Sequence, residues 1–279
     1  MSFKIDHKGN EQGAAIAFTR QSTHFDQLYQ QNTIIQYKRK RVREHLTRYL
    51  PAQASILELN AGTGDDAIWL AQQGHSVHAT DISAGMQEAL TQKVRLAKLE
   101  HRITTELRSF TDLGQLDCKG PFDCIFSNFA GLNCTGELQK VLHSFSPLLK
   151  RNGIATLVLL PKFCLWESLL LFKGKFKTAT RRLFAKNGRT ARVEGEYFKC
   201  WYYNPSFVVD HLKDEFEVLS IEGLCAFVPP SYIEGFAEKY PRLYSRLAQL
   251  EDRSKLNWPW KIIGDYYIIT LRKKIEGRS

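Results

Sequence analysis

Short apolar runs alternate with longer amphipathic segments between residues 54 and 160 of the chain. The pattern predicts strands at 54–59, 76–80, 102–107, 122–127 and 153–160, and helices at 65–73, 84–99 and 136–150. Short strands that alternate with helices indicate a parallel sheet covered on both faces. An α/β fold is therefore expected.

The pattern changes on both sides of this region. An amphipathic stretch over about residues 23–50 precedes it, and Pro51 and Ala52 separate the two. Beyond Pro161 the sequence predicts an aromatic helical stretch to about Phe184, a β-like run at 193–203, helices near 205–214 and 231–250, and strands near 216–228 and 262–272. These segments indicate additions to the sheet and two further strands.

The most informative local pattern is the glycine turn after the first strand. Residues 56–64 read Ile-Leu-Glu-Leu-Asn-Ala-Gly-Thr-Gly, and the second strand ends in Asp81. Glycines let the backbone approach a ligand, and an acid at the second strand end can accept two ribose hydroxyls. The dinucleotide pattern Gly-x-Gly-x-x-Gly is absent, because Gly74 comes too late after Gly62 and Gly64. The turn therefore does not have to accommodate a pyrophosphate.

This segment resembles motif I and the following acidic strand end of class I S-adenosylmethionine (SAM)-dependent methyltransferases. Their motif usually reads apolar-apolar-acid-apolar-Gly-x-Gly-x-Gly. Glu58 takes the place of the acid, and Asn60 stands where the first glycine is usual. Asparagine tolerates a left-handed backbone better than most residues do. The resemblance covers about residues 20–160, and the final strand pair more loosely.

The resemblance implies a Rossmann-like, seven-stranded methyltransferase sheet with helical and aromatic cap insertions, and SAM as the cofactor. It implies an N-terminal helical lid at 1–50 and a SAM-binding core at 51–160. Residues 161–274 would hold the substrate cap insertions and the C-terminal antiparallel strand pair of the same sheet. Residues 275–279, Ile-Glu-Gly-Arg-Ser, look like a protease-site scar and are excluded from the fold.

Ligands of open α/β sheets bind beyond the carboxyl ends of the strands, which is where the resemblance places SAM. Residues 58–64 would face its methionine part, Asp81 its ribose, and Ile82 and Met86 its adenine. Ser109 and Phe110 follow the third strand, where the family often has an acid and a small residue for the adenine amino group. The expected cofactor-binding residues are Glu58, Asn60, Ala61, Gly62, Thr63, Gly64, Asp81, Ile82, Met86, Ser109, Phe110, Asn128 and Phe129.

The fourth strand ends in Asn128-Phe129-Ala130-Gly131, which the resemblance places beside the sulfonium. Enzymes that methylate exocyclic amines of nucleic-acid bases resemble one another in an (Asn/Asp/Ser)-Pro-Pro-(Tyr/Phe) motif at this point. Cytosine C5 enzymes often carry their cysteine nucleophile in a Pro-Cys dipeptide, which this sequence lacks. Base methylation is therefore disfavoured.

Methyl transfer needs little help from catalytic side chains, because the methyl carbon is already activated by a positive sulfur. The rate depends mainly on the alignment of the acceptor with the methyl group. A neutral amine acceptor needs no base, whereas a phenol or a carbon acid does. The lid-like N-terminal stretch offers His24 and Tyr29 as catalytic candidates, with Tyr37 as a further one. His143 and His211 are expected to be structural.

Aromatic residues concentrate in the additions to the sheet. Four of the five tryptophans, Trp166, Trp201, Trp258 and Trp260, lie in residues 161–205 and 229–261. An aromatic cap could exclude water and hold an apolar or ring-containing substrate, with Trp166 and Trp201 as expected contacts. The alternative is that these rings form the core of the cap itself.

The segment from Lys173 to Arg192 is basic. It has eight basic residues and no acid, Lys38-Arg39-Lys40-Arg41 forms a second cluster, and the formal net charge is +10. Such a surface attracts phosphates, acidic carrier proteins, anionic lipids or nucleic acid, although a solvated basic face is the common alternative. Arg181 and Arg182 are expected to contact an anionic part of the substrate or its carrier. Phe172, Phe176 and Phe184 between the charges would suit a helix in peripheral contact with a membrane.

The six cysteines are scattered without metal-ligand spacing, which indicates reduced thiols in a cytoplasmic protein and no metal site. No apolar run approaches the ~20 residues of a membrane span. The expected function is methyl transfer from SAM to a small or carrier-attached acceptor at O, N or C, giving S-adenosylhomocysteine. An RNA methyltransferase and a catalytically silent SAM-binding regulatory or assembly protein are the alternatives. The acceptor and the oligomeric state are not legible in the sequence.

Overall fold

A computed structural model describes residues 7–174 and 176–275 of the chain. The expected terminal scar, apart from Ile275, and Lys175 of the basic segment lie outside the described residues. The strands are β1 (Ser55–Leu59), β2 (Ser76–Asp81), β3 (Ile103–Leu107), β4 (Phe122–Ser127), β5 (Leu149–Leu159), β6 (Arg189–Val193), β7 (Glu196–Cys200), β8 (Phe216–Leu224) and β9 (Tyr266–Lys273).

Seven of these strands form one sheet in the order β3-β2-β1-β4-β5-β9-β8. The first five are parallel, and β9 pairs antiparallel with both β5 and β8. The α/β class, the seven strands and the antiparallel final pair predicted from the sequence are confirmed. The remaining strands, β6 and β7, form a separate antiparallel hairpin.

Helices cover both faces of the sheet. They are α1 (His7–Gln30), α2 (Thr33–Thr47), α3 (Asp65–Gln72), α4 (Ala84–Leu96), α5 (Leu138–His143), α6 (Phe145–Leu148), α7 (Leu165–Leu169), α8 (Phe176–Ala179), α9 (Pro205–Leu212), α10 (Phe236–Lys239) and α11 (Pro241–Ser254). Within the described ranges, no helix combines the length and the apolar character that crossing a bilayer requires.

The core lies on both sides of the sheet, because successive strand residues point to opposite faces. On β1, Ile56 packs into the cluster that includes residues of α2, α3 and α4. The next residue, Leu57, packs into the opposite cluster with residues of α5 and α9. Both side chains are fully buried, as the continuous apolar runs of the sequence predict for parallel strands.

The N-terminal helix is longer than its amphipathic pattern predicts. It already includes His7, the first described residue, whereas the pattern starts near Thr23, and it does so although glycines at 9 and 13 lower its helix propensity. Gly13 has a packing reason, since a Cβ there would lie 2.9 Å from the carbonyl oxygen of Tyr197 in β7. Contact with the β6–β7 hairpin therefore holds this part of the helix.

Two C-terminal boundaries also differ from the sequence prediction. The helix expected at 231–250 is split before Pro241, because the residue ahead of a proline avoids helical angles. The strand expected to reach 228 ends at Leu224, after which Cys225 is left-handed at φ +58°. The buried carboxylate of Glu251 accepts hydrogen bonds from the backbone N–H groups of Cys225, Phe227 and Val228, in place of strand pairing.

Candidate active site

A pocket lies at the carboxyl ends of β1, β2 and β4, between these strands and α1. Of the cofactor-binding residues expected from the sequence, all but Gly64 and Ser109 line it. The expected residues that line the pocket come from four separate places in the chain, and they meet at the sheet edge where parallel α/β folds bind ligands.

The turn after β1 holds three left-handed residues, Asn60 at φ +48°, Gly62 at φ +57° and Gly64 at φ +83°. Asn60 joins this turn to the end of β4. Its Nδ2 donates to the carbonyl oxygen of Asn128 at 2.8 Å, and its Oδ1 accepts from Ser127 Oγ at 2.6 Å. The asparagine in place of the first motif glycine therefore has a structural use that a glycine could not supply.

Gly64 is constrained by its neighbour as well as by its backbone angle. A Cβ at this position would lie 2.6 Å from Leu90 Cγ, whereas Gly74, also left-handed at φ +96°, has nothing within 4 Å. We expect Gly64→Ala to lower the free energy of unfolding by about 1–3 kcal/mol more than Gly74→Ala does, because only the first overpacks the core. Urea unfolding of both variants measures the difference. Equal losses would show that Leu90 moves aside without cost.

Asp81 ends β2 with its carboxylate held by the backbone. Oδ2 accepts the N–H of Gly62 at 2.9 Å and Oδ1 accepts that of Ser83 at 2.8 Å. Burial raises the pKa of Asp81, and these backbone hydrogen bonds oppose the rise. Each carboxylate oxygen can accept a further hydrogen bond, which suits a pair of vicinal hydroxyls.

Glu58 is 2% exposed, and its Oε2 has no hydrogen-bond partner among the described residues. Burial, together with the neighbouring Asp66, raises its pKa well above the ordinary value. A buried carboxylate oxygen without a donor is costly, so its presence in the pocket lining fits a cationic ligand group. The ammonium of the methionine part of SAM is such a group.

The end of β4 is strained where the resemblance places the methyl group. Phe129 and Ala130 adopt left-handed angles of φ +47° and +61°. Asn128 supports this turn, since its Oδ1 accepts the N–H of Phe129 at 2.7 Å and its Nδ2 donates to Asp66. The Arg39 guanidinium lies 5.1 Å from the centre of the Phe129 ring. Phe129 is thus held towards the pocket by its neighbours, at a conformation that aromatic residues avoid.

Helix α1 supplies five lining residues that share one helix face: Glu11, Ala14, Phe18, Phe25 and Tyr29. Of this set, the sequence pointed only to Tyr29. The spacing of three, four, seven and four residues is the signal that would have revealed the others. Arg39, Asp65, Asp66 and Cys134 line the pocket as well and were also missed.

The two catalytic candidates are placed differently. His24 does not line the pocket, and its Nε2 lies 3.0 Å from Glu194 Oε1 at the turn of the β6–β7 hairpin. Tyr29 lines the pocket with its ring stacked on Phe25 at a centroid distance of 4.1 Å. Burial raises the pKa of Tyr29, so its phenol is neutral at ordinary pH.

The expected substrate contacts in the cap lie away from this pocket. Trp166 is in α7, and the lining includes neither it nor Trp201. Trp201 stacks on His7 at a centroid distance of 6.1 Å and would touch a Cβ added at Gly136. These contacts give Trp201 a role in packing α1 against the core.

Arg181 and Arg182 are occupied by carboxylates of the chain itself. Both bind Glu167, and Arg182, 4% exposed, also lies 2.7 Å from Asp265 Oδ1. The structure thus contradicts a free basic surface at these two positions, because the acids that neutralise them come from outside the segment. Glu167, Asp265 and Cys164 lie close enough together to hold a metal ion, but Arg182 already binds both carboxylates.

The cluster at residues 38–41 is also mostly internal. Lys38, Arg39 and Arg41 are buried and pair with acids of the chain, whereas the side chain of Lys40 is 73% exposed. These three buried basic residues therefore serve the fold. The phenylalanines at 172, 176 and 184 are exposed, and membrane contact through them stays a prediction.

Comparison with protein families gives one match, in which residues 56–153 fit the family described as Methyltransferase domain. Comparison with curated proteins gives no match. The matched segment begins in β1 and ends in β5, so it contains the glycine turn, Asp81 and the β4 end described above.

Several solved structures share the fold. A putative SAM-dependent methyltransferase from Listeria monocytogenes is 17% identical, with a TM-score of 0.59 over 84% of this chain and 96% of that one. The [4+2]-cyclase SpnF is 15% identical, with a TM-score of 0.63 over 95% and 96%. The 1,6-didemethyltoxoflavin-N1-methyltransferase of Burkholderia thailandensis, solved with 1,6-didemethyltoxoflavin and S-adenosylhomocysteine, is 13% identical, with a TM-score of 0.58 over 99% and 93%.

Proposed function

Since the chain carries a class I SAM-dependent methyltransferase domain and its cofactor is SAM, we propose that it methylates a small, ring-containing molecule and releases S-adenosylhomocysteine. The observation that carries this proposal is the aromatic wall of the pocket. Phe18, Phe25 and Tyr29 of α1 face a space bounded by Phe129 on the side of the sheet. Flat aromatic surfaces hold ring-shaped ligands and exclude water from the reacting centre.

The ionisable residues of the pocket argue for an acceptor that needs no deprotonation by the protein. Asp65 pairs with Lys93 at 2.9 Å, and Asp66 pairs with Arg43 at 2.7 Å. Tyr29 is held neutral by burial. Glu58, whose Oε2 has no hydrogen-bond partner among the described residues, is the partner proposed for the methionine ammonium. A neutral amine, or an oxygen that is ionised before it binds, would react in this setting by alignment alone.

Two alternatives have less support. RNA binding needs an accessible basic surface, yet the arginines at 181 and 182 and three of the four residues at 38–41 pair internally. A protein that binds SAM without transferring its methyl group is compatible with the fold, which the [4+2]-cyclase SpnF shares. These alternatives differ from our proposal in where a labelled methyl group appears.

The test incubates the protein with methyl-labelled SAM and three acceptor pools: a metabolite extract, total RNA, and protein that includes acyl carriers. We expect label in the small-molecule fraction, and none with Asp81→Ala at a SAM concentration that saturates only the wild type. Label in RNA or protein would overturn the choice of acceptor. Cofactor binding without label in any pool would support the silent alternative.

Once an acceptor is known, Tyr29→Phe tests whether the tyrosine acts as a base. We expect kcat to stay within about threefold of the wild type, because the ring and its stacking on Phe25 remain. Loss of a general base would lower kcat by roughly 10²–10⁴-fold. Initial rates at several pH values distinguish the two, with Tyr29→Ala as the variant that removes the ring and should raise KM for the acceptor. A hundredfold fall in kcat for Tyr29→Phe would contradict the proposal.

A further inference from the structure

The end of β3 lacks the acid that related enzymes often use for the adenine amino group, and Ser109 and Phe110 stand there instead. The Ser109 hydroxyl begins the short 3₁₀ helix Phe110–Gln115, since its Oγ accepts the N–H of Thr111 at 3.1 Å. Phe110 lines the pocket with an apolar ring. Neither residue offers a charged acceptor for an amino group.

A carboxylate reaches this point from α1. Ser109 Oγ donates to Glu11 Oε2 at 2.9 Å, across 98 positions in the sequence. Glu11 also lines the pocket, together with Ile82, Met86 and Phe110, the residues placed around the adenine. Within residues 7–174 and 176–275, no hydrogen bond or ion pair engages the second oxygen, Glu11 Oε1. Among the residues that the structure describes, one oxygen is therefore held by the serine and the other has no partner, so it can bind a ligand.

We propose that Glu11 supplies the acid missing from β3 and accepts a hydrogen bond from the exocyclic amino group of the adenine. Ser109 orients the carboxylate, and α1 thereby takes part in recognition of the adenine while it covers the pocket. An ionised carboxylate is an acceptor only, so it favours an amino group and repels a carbonyl oxygen at the same place. This inference rests on SAM as the cofactor and not on the identity of the acceptor.

The test compares S-adenosylhomocysteine with S-inosylhomocysteine, in which a carbonyl oxygen replaces the amino group. Calorimetry should show that the wild type prefers the adenosyl compound by roughly tenfold or more, as expected when a charged hydrogen bond is lost. Glu11→Gln should reduce this preference to within about threefold, because an amide can both donate and accept. Glu88→Gln, at an exposed glutamate of α4, is the matched control and should keep the wild-type preference.

Glu11→Ala provides a second variant that loses the carboxylate without offering an amide, and it should likewise lose most of the preference. Thermal unfolding without ligand checks that each variant is folded. A preference that stays at the wild-type value in both Glu11 variants would overturn the proposal. Failure of the wild type to bind either compound would overturn it together with the cofactor assignment, which is a different result from the first.

Discussion

Replacing Asp81 by alanine should weaken the binding of S-adenosylhomocysteine by about 1.5–3 kcal/mol, because a buried charged acceptor for the ribose hydroxyls is lost. The carboxylate is 9% exposed, and its geometry is fixed by the N–H groups of Gly62 and Ser83. The substitution also removes the acceptor of the Gly62 N–H and so loosens the turn that faces the methionine part. Both effects weaken the binding of S-adenosylhomocysteine. Isothermal titration calorimetry at constant pH and salt measures the change.

Two comparisons separate the loss of the ligand contact from damage to the fold. Asp214→Ala removes an exposed aspartate before β8 and should leave the affinity unchanged. Asp81→Asn keeps an oxygen for one backbone N–H and should therefore retain more of the folding stability than Asp81→Ala does. If Asp81→Ala binds S-adenosylhomocysteine as tightly as the wild type, the ribose assignment is wrong.

Replacing Arg182 by alanine should lower the free energy of unfolding by about 3–5 kcal/mol, because it removes the buried cation that two buried carboxylates share. The guanidinium joins Glu167 of α7 to Asp265 beside β9, at 2.6 Å and 2.7 Å. Burial opposes a charge at Asp265, yet Lys38 and Arg182 hold its pKa below the ordinary value. Lys38 lies 3.4 Å from Asp265 and is a weaker substitute for the lost arginine. Urea unfolding followed by tryptophan fluorescence gives the value.

Arg181→Ala is the matched control in the same segment. The side chain of Arg181 is 37% exposed, and its one partner among the described residues is Glu167, which keeps Arg182 as a partner. Its replacement should therefore cost no more than about 2 kcal/mol. An unfolding free energy unchanged by Arg182→Ala, combined with a higher KM for the acceptor, would instead support the sequence-based expectation that this arginine contacts the substrate.

The sequence predicted the sheet, and most of the residues that it assigned to the cofactor line one pocket, because both depend on local patterns. Runs such as residues 56–59 must be strands buried on two faces, and a glycine turn followed by an acid-tipped strand has few structural uses. Two of the expected cofactor-binding residues, Gly64 and Ser109, do not line the pocket, and each has a different role in the structure. Gly64 packs against Leu90, and Ser109 starts a short helix and orients Glu11.

Contacts between distant segments could not be predicted in the same way. The basic run around Arg181 looked unpaired because its acids, Glu167 and Asp265, lie outside it, and only folding brings them together. His24 was chosen for its chemistry, yet the side of α1 that faces the pocket carries Phe25 and Tyr29 instead. The face of α1 that points to the pocket could have been identified from the sequence only if the helix had been predicted to extend back to His7.

Helix α1 is fastened along its whole length, and this has a kinetic consequence. Asn10 donates to the carbonyl oxygen of Cys134, Thr19 shares a hydrogen bond with Ser83, and Asp26 pairs with Lys93 at 2.6 Å. Each catalytic cycle exchanges S-adenosylhomocysteine for SAM, so if α1 is the lid that the sequence predicts, we expect these contacts to break and re-form once per turnover. The opening rate of α1 would then set an upper limit on kcat, whichever acceptor the enzyme uses.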